Sequence, residues 1–123
     1  METPKIFESE YRFCQILWER EPVSSTELVK LCQTQLGWKK STTYTVIKRL
    51  SERGVVRMEQ SVVTSLVSRE QVQRSESRQL IDRAFGGSLP SFIAAFTSGK
   101  ALTEEEVSQI RQLIDAYEES GHE

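Results

Sequence analysis

Thr42, Thr45 and Arg49 are the residues of this chain best spaced to do chemistry together. They lie in the run from Trp38 to Met58, WKKSTTYTVIKRLSERGVVRM. On a helix of about 3.6 residues per turn they fall within roughly a third of a turn of one another. The Arg49 guanidinium can bridge a guanine edge or clamp a phosphate, and threonines can touch thymine methyls or bond phosphate oxygens. Lys39, Lys40 and Ser41 crowd the start of the same helix, where backbone amides also favour phosphate. Lys48 shares the side of Ser41 and Thr45. Tyr44 is placed either to stack on a nucleic-acid backbone or to pack against the first helix. The run holds six cations (Lys39, Lys40, Lys48, Arg49, Arg53 and Arg57) against Glu52 alone, a local net charge of +5.

The other side of this helix, Val46, Ile47 and Leu50 with Thr43 beside them, is an anchoring face. Gly54 is placed to stop it in a left-handed cap. A helix anchored on one side and carrying hydroxyls and cations on the other fits a DNA major groove. The competing reading is the ordinary solvated face of a small helical domain. The short turn before the helix and the hairpin after it favour recognition of DNA.

No catalytic constellation assembles. The only histidine, His122, lies near the end of the sequence, and the two cysteines, Cys14 and Cys32, fall inside apolar helical patterns. No nucleophile–base pair results, and Gly86-Gly87 lacks the strand and lysine of a phosphate loop. Neither cysteine has a histidine at zinc spacing, so small buried thiols are favoured over a disulfide or a metal pair. Glu104, Glu105 and Glu106 read as charge complementing a helix start. No enzyme, no metal and no cofactor is expected.

The chain has 123 residues and a formal net charge of −2. The average hides an asymmetry. Residues 1–60 carry ten Lys/Arg and eight Asp/Glu, whereas residues 61–123 carry six and ten. Counterion release depends on local cation clusters, so the first half remains suited to nucleic acid. No signal peptide or membrane-length apolar run is present, and a cytoplasmic location with no membrane partner is expected.

The elements that must position the +5 run follow from periodicity. Residues 1–6 read as a tail. Phe7, Tyr11, Cys14 and Trp18, joined by Phe13 and Leu17, mark a first helix to Arg20, stopped by Glu21-Pro22. Val23 is placed to pair with a later strand. Ser24 with Glu27 forms a capping box for a second helix, whose stripe is Leu28, Val29, Cys32 and Leu36 and which Gly37 stops. After Gly54, Val55–Met58 and Val62–Val67 read as a hairpin across Glu59-Gln60-Ser61. That tip holds no cation, so weak contact with a minor groove is expected there. Ser68 with Gln71 caps a long polar helix to Phe85, sparse in apolar residues except Val72, Leu80, Ile81, Ala84 and Phe85. Leu89–Phe96 reads as a short apolar helix or turn with Phe92, Ile93 and Phe96 as anchors, then a Ser98-Gly99-Lys100 loop. Thr103 with Glu106 caps a last helix, in which Val107, Ile110, Ile114 and Tyr117, with Leu113 alongside, make a coiled-coil-like seam.

These elements give a mainly α fold with a small β-hairpin (α+β). A winged helix-turn-helix over 1–70 precedes a helical dimerisation domain over 71–123. The sparse helix and the seam (Leu80, Ile81, Phe92, Val107, Ile110, Leu113, Ile114, Tyr117) are what a second copy would cover, giving a homodimer on double-stranded DNA. Packing of this half back onto the same chain is the alternative.

The chain resembles the penicillinase-repressor family (BlaI/MecI and the related CopY repressors). The likeness rests on the Ile6-to-Trp18 frame, the capped Ser24–Leu36 helix, GWKKSTTYTVIKRLSERG at 37–54, GGSLPSF at 86–92 and TEEEVSQIRQLID at 103–115. Trp38, Thr42, Thr45, Arg49, Leu50 and Gly54, all in step, are its most specific part. The resemblance implies a homodimeric repressor on a palindromic operator, in some members released when a sensor-linked protease cuts the dimerisation domain. That cut maps to Ala95-Phe96, where the family pattern is Asn-Phe. Lys39-Lys40 stand where many members have Ser-Pro, which shifts the expected helix start toward Ser41. The Cys-x-Cys motifs of the copper-responsive branch have no counterpart in the Tyr117–Glu123 ending. Two rival functions remain: a winged-helix protein-interaction module, and a small-molecule-responsive regulator with a pocket in the C-terminal half.

Overall fold

The computed structural model describes residues 3–121; His122 lies outside them. Helices α1 (Glu8–Arg20), α2 (Ser25–Leu36) and α3 (Lys40–Glu52) surround a small sheet of β1 (Val23–Ser24), β2 (Val56–Glu59) and β3 (Val62–Ser65). Helices α4 (Arg69–Phe85), α5 (Leu89–Gly99) and α6 (Glu104–Glu119) follow. The chain forms two compact units, Met1–Ser77 and Arg78–Glu123.

In the first unit one core gathers Phe13, Leu17, Leu28, Cys32, Ile47, Leu50, Val55, Val56, Val63 and Val72 with their neighbours. The buried face of α1 is Glu10, Phe13, Cys14, Ile16 and Leu17. This corrects the sequence-derived stripe: Phe7 is exposed and serves as the N-cap, while Tyr11 and Trp18 are half-buried. The α1 pattern is apolar over more than half its circumference, so periodicity alone leaves the inward direction open. The segment before α1 is also more than a tail, because Ile6 joins the core.

The sheet is antiparallel in the order β1-β3-β2, with Val23 opposite Val63 and Met58 opposite Val63 on the other edge. The expected pairing of Val23 is therefore present. The hairpin tip is shorter than the sequence reading: Glu59 pairs with Val62, leaving a two-residue turn of Gln60 and Ser61. Both residues take positive φ, 51° and 63°, as a twisted two-residue hairpin demands. The Ser25 N–H donates to the Ser61 carbonyl at 2.8 Å and ties the turn to α2. At the other end of the hairpin the Ser65 N–H and hydroxyl donate to the Glu21 carboxylate at 2.7–2.9 Å. Trp18 Nε1 donates to the Val67 carbonyl at 3.0 Å, fixing the exit toward α4.

The second unit is thin. Phe92 meets Phe85 edge-on at 5.5 Å and Phe96 at 6.1 Å, yet α5 and α6 contain no buried residue. α5 also runs on through Ser98 and Gly99, residues read from sequence as loop. The reciprocal Thr103–Glu106 cap is formed at 2.9 and 3.0 Å. The bond from the Thr103 amide is the main cause holding the Glu106 carboxyl below its usual range.

Cys14 and Cys32 are free and buried. Burial, helped by the Glu10 charge, pushes the Cys14 thiol up to about 12; burial also raises Cys32. Thiolate is the reactive form. At pH 8 neither cysteine of the folded protein should react with Ellman's reagent, whereas two thiols should titrate in concentrated urea. Prompt reaction without denaturant would contradict this core.

Candidate nucleic-acid interface

α3 is fixed from both ends and along one side. Thr43, Val46, Ile47 and Leu50 are buried, while Ser41, Thr42, Thr45, Lys48 and Arg49 are exposed together with Lys39 and Lys40. The expected division of the helix into anchoring and outward faces is the one observed. At the entry, Gly37 turns the chain at φ 70°, and Trp38 stacks parallel to Phe13 of α1 at 6.2 Å. The helix starts at Lys40, one residue ahead of Ser41, and its N-cap Lys39 offers no side-chain hydrogen bond. First-turn amides without a side-chain cap and two adjacent ammonium groups suit an anionic oxygen.

At the exit, Gly54 takes φ 80°. Its N–H reaches the Ser51 carbonyl at 3.1 Å, and the Val55 N–H reaches the Leu50 carbonyl at 2.8 Å. This paired bonding turns the chain sharply from α3 into β2.

The outward side chains differ in what they can offer. Thr45 Oγ1 donates to the Ser41 carbonyl at 2.9 Å, so outward it presents a methyl group and acceptor lone pairs. Thr42 and Arg49 flank it on the exposed side. Tyr44 is half-buried and its hydroxyl donates to Ser25 Oγ of α2 at 3.2 Å; the structure turns its ring toward the second helix. Arg53, counted in the +5 run, points inward and pairs with Glu10. A groove of about 560 Å³ lies between α3 and the sheet, lined by Tyr44, Lys48, Arg57, Met58 and Leu66 among others, none of them acidic. Two cations, Lys48 and Arg57, on a mostly apolar wall suit a sugar-phosphate strand. The tip residues Gln60 and Ser61 bring no charge.

In the second unit Ile81, Phe92, Val107 and Ile110 are half-buried, while Leu80, Leu113, Ile114 and Tyr117 are exposed. Leu113 retains 70 % of its surface and Ile114 53 %. Ala95 and Phe96 lie inside α5, both exposed. Among the described residues no cluster of His, Cys, Asp or Glu could hold a metal, and no helix is long and apolar enough to cross a membrane.

The family model described as penicillinase repressor matches residues 6–116. The chain belongs to the penicillinase repressor family. Members are transcriptional repressors, not enzymes. The methicillin resistance regulatory protein MecI of Staphylococcus aureus strain Mu50 is 24% identical over 117 residues, covering 92% of this chain and 95% of that protein. The penicillinase repressor of Bacillus licheniformis is 20% identical over 118 residues, covering 93% and 92%. An uncharacterized 16.5 kDa protein of Latilactobacillus sakei is 26% identical over 118 residues, covering 93% and 81%. At such identities this repressor shares the family's frame, while the chemistry of its site is set by its own side chains.

Two features escaped sequence reasoning. The inward turn of Arg53 depends on Glu10, 43 positions earlier, and no local pattern signals it. The back-bonded Thr45 hydroxyl did have a local signal, since a helical Thr can reach the carbonyl four residues before it.

Replacing Gly54 by Ala places a Cβ at φ 80°, where nothing crowds it. The cost is therefore conformational, about 1–2 kcal/mol. Urea unfolding should show a lower midpoint with an unchanged slope; an unaltered midpoint would contradict the left-handed cap.

Proposed function

We propose that this repressor binds a palindromic operator as a homodimer, residues 1–70 reading DNA and residues 71–123 dimerising. The observation that carries the reading is the outward face of α3: Lys39, Lys40, Ser41, Thr42, Thr45, Lys48 and Arg49 are all exposed, over an inner face that is wholly buried. In this arrangement Arg49 and Thr42 meet base edges, Thr45 offers its methyl to thymine, and Lys39 and Lys40 bind phosphate at the helix start. Lys48, with Arg57 across the groove, neutralises the strand beside the sheet. Tyr44 supports this face through Ser25 and can lend its ring edge to the backbone.

Dimerisation is supported by the uncovered apolar surface of the trailing half. Leu80, Leu113, Ile114 and Tyr117 are each at least 41 % exposed, with Ile81, Phe92, Val107 and Ile110 beside them. A second copy covers these groups and sets the distance between two recognition helices, which half-site spacing mirrors. Release by a sensor-linked protease at Ala95-Phe96 belongs to the same reading. The bond sits within α5, where the Phe96 carbonyl accepts from the Lys100 N–H at 3.1 Å. A protease that needs extended substrate must first unwind α5.

Duplex affinity should fall steeply with salt. Arg49→Ala should weaken binding by about 1–3 kcal/mol and relax sequence preference at one position, while Lys40→Ala should weaken all duplexes alike and reduce the salt slope by about 1. If neither variant changes affinity, the DNA reading fails. Ile114→Asp or Ile110→Asp should convert the sedimenting dimer to a monomer and lower operator affinity while the first unit keeps its thermal transition. An intact dimer in both variants would remove the seam from the interface.

A further inference from the structure

Arg53 closes α3 and is its most heavily engaged cation. Nη2 forms an ion pair with Glu10 Oε2 of α1, and Nη1 donates to the Lys5 carbonyl at 2.8 Å. The guanidinium lies 5.2 Å from the centroid of the Phe7 ring, which Lys5 Nζ also approaches at 4.9 Å. Glu10 is 5 % exposed, and its second oxygen accepts from the Phe7 N–H at 2.9 Å. One carboxylate thus joins the segment before α1, α1 itself and the end of α3. A buried carboxylate is tolerable only when so paired. The bonds occupy the fork of Arg53 that a phosphate would otherwise take.

We infer that Glu10 is a positioning residue for DNA binding: through Arg53 it fixes the exit end of α3, and with it the angle at which Thr42, Thr45 and Arg49 meet a duplex. The inference rests on the DNA reading above. The entry end of α3 is held independently by Trp38 on Phe13 and by Tyr44 on Ser25, and buried Leu50 keeps the exit end seated in the core, so without Glu10 the helix stays in place but loses the polar contact that fixes the angle of its last turn. The helix cap at Gly54 sets where α3 stops, and the Arg53–Glu10 pair is the polar contact that ties that end to α1.

Charge and position make opposite forecasts, and duplex binding at several salt concentrations separates them. Removing a negative charge near a polyanion strengthens binding if charge alone matters. Glu10→Gln is expected instead to weaken operator-duplex binding by about tenfold, within the range of couplings between contacting groups. Arg53→Gln is expected to weaken it equally with an unchanged salt slope, whereas a cation on phosphate would take about one unit from the slope. The double variant should bind no worse than either single one, because both remove the same contact. Binding is read well below each variant's melting temperature, which circular dichroism supplies. Glu10→Gln binding as tightly as wild type or tighter, or a slope change in Arg53→Gln, overturns the inference.

Arg53→Lys keeps a cation for Glu10 but gives up the fork, and is expected to fold and to lose about threefold in affinity at constant slope. Should the glutamine variants unfold, wild-type affinity in Arg53→Lys would reduce Glu10 to a folding residue and overturn the inference. Salt-independent or absent binding by the wild type would instead sink the DNA reading itself.

Discussion

The inner face of α3 has one orientation open to it, and the first unit is built around that restriction. Val46, Ile47 and Leu50 bury themselves in a core supplied by α1, α2 and the sheet, and Thr43 is buried with them. Each fully buried aliphatic side chain is worth about 1.5–3 kcal/mol relative to exposure, so rolling the helix to bring Arg49 inward would forfeit several such contributions. Outward presentation of Thr42, Thr45, Lys48 and Arg49 is then a consequence of packing on the opposite side. Aromatic stacking at Trp38, the hydroxyl pair Tyr44–Ser25 and the turn at Gly54 restrict the remaining freedom further, and the Arg53–Glu10 pair acts at the exit end.

Electrostatics works locally in the same way. The chain's net charge of −2 is compatible with polyanion binding because its cations are concentrated along α3 and β2. Screening extends only about 8–10 Å at ordinary ionic strength, so acids of the C-terminal half that lie farther away weigh little. Arg53 shows that counting cations overstates the field: its charge is cancelled by a buried acid. Arg57 is also partly offset, with Glu59 at 3.8 Å and both side chains well exposed, a pairing worth little in water.

Much of this fold is legible in the sequence where local signals agree with the global structure. The three-residue cap spacing at Ser24, Ser68 and Thr103 reads directly as helix starts, and Gly37 and Gly54 as stops, because backbone hydrogen bonds at helix ends must be met locally. The division of α3 into two faces is equally readable, since its apolar residues occupy a narrow stripe. α1 resists the same treatment. Apolar groups cover more than half of its circumference, and the true inward face includes Glu10, whose burial depends on a cation 43 positions away. The hairpin tip reads one residue too long from sequence because Gln60 and Ser61 adopt left-handed backbone that glycine or asparagine ordinarily marks, held here by Ser25 from α2. Site chemistry is legible as residue type; engagement by a partner distant in sequence, as in Arg53, is not.

The trailing half follows a different logic from the first. A helix without burial has little to hold it, because isolated helices of this length are marginal in water. In α5 and α6 the Thr103–Glu106 cap and the Phe85–Phe92–Phe96 ring contacts supply part of the stability, yet Leu113 and Ile114 remain largely exposed. If a second copy covers them, folding of this half and assembly become one equilibrium, and its stability rises with protein concentration. The same thinness makes α5 easier to open, since few buried contacts resist local unfolding. On the function proposed above, a segment that dimerises to be stable and opens to be cut is better built from sparse apolar contacts than from a closed core. In this repressor the dense packing lies around α3, where a fixed angle matters, and the loose packing lies where a change of state would have to begin.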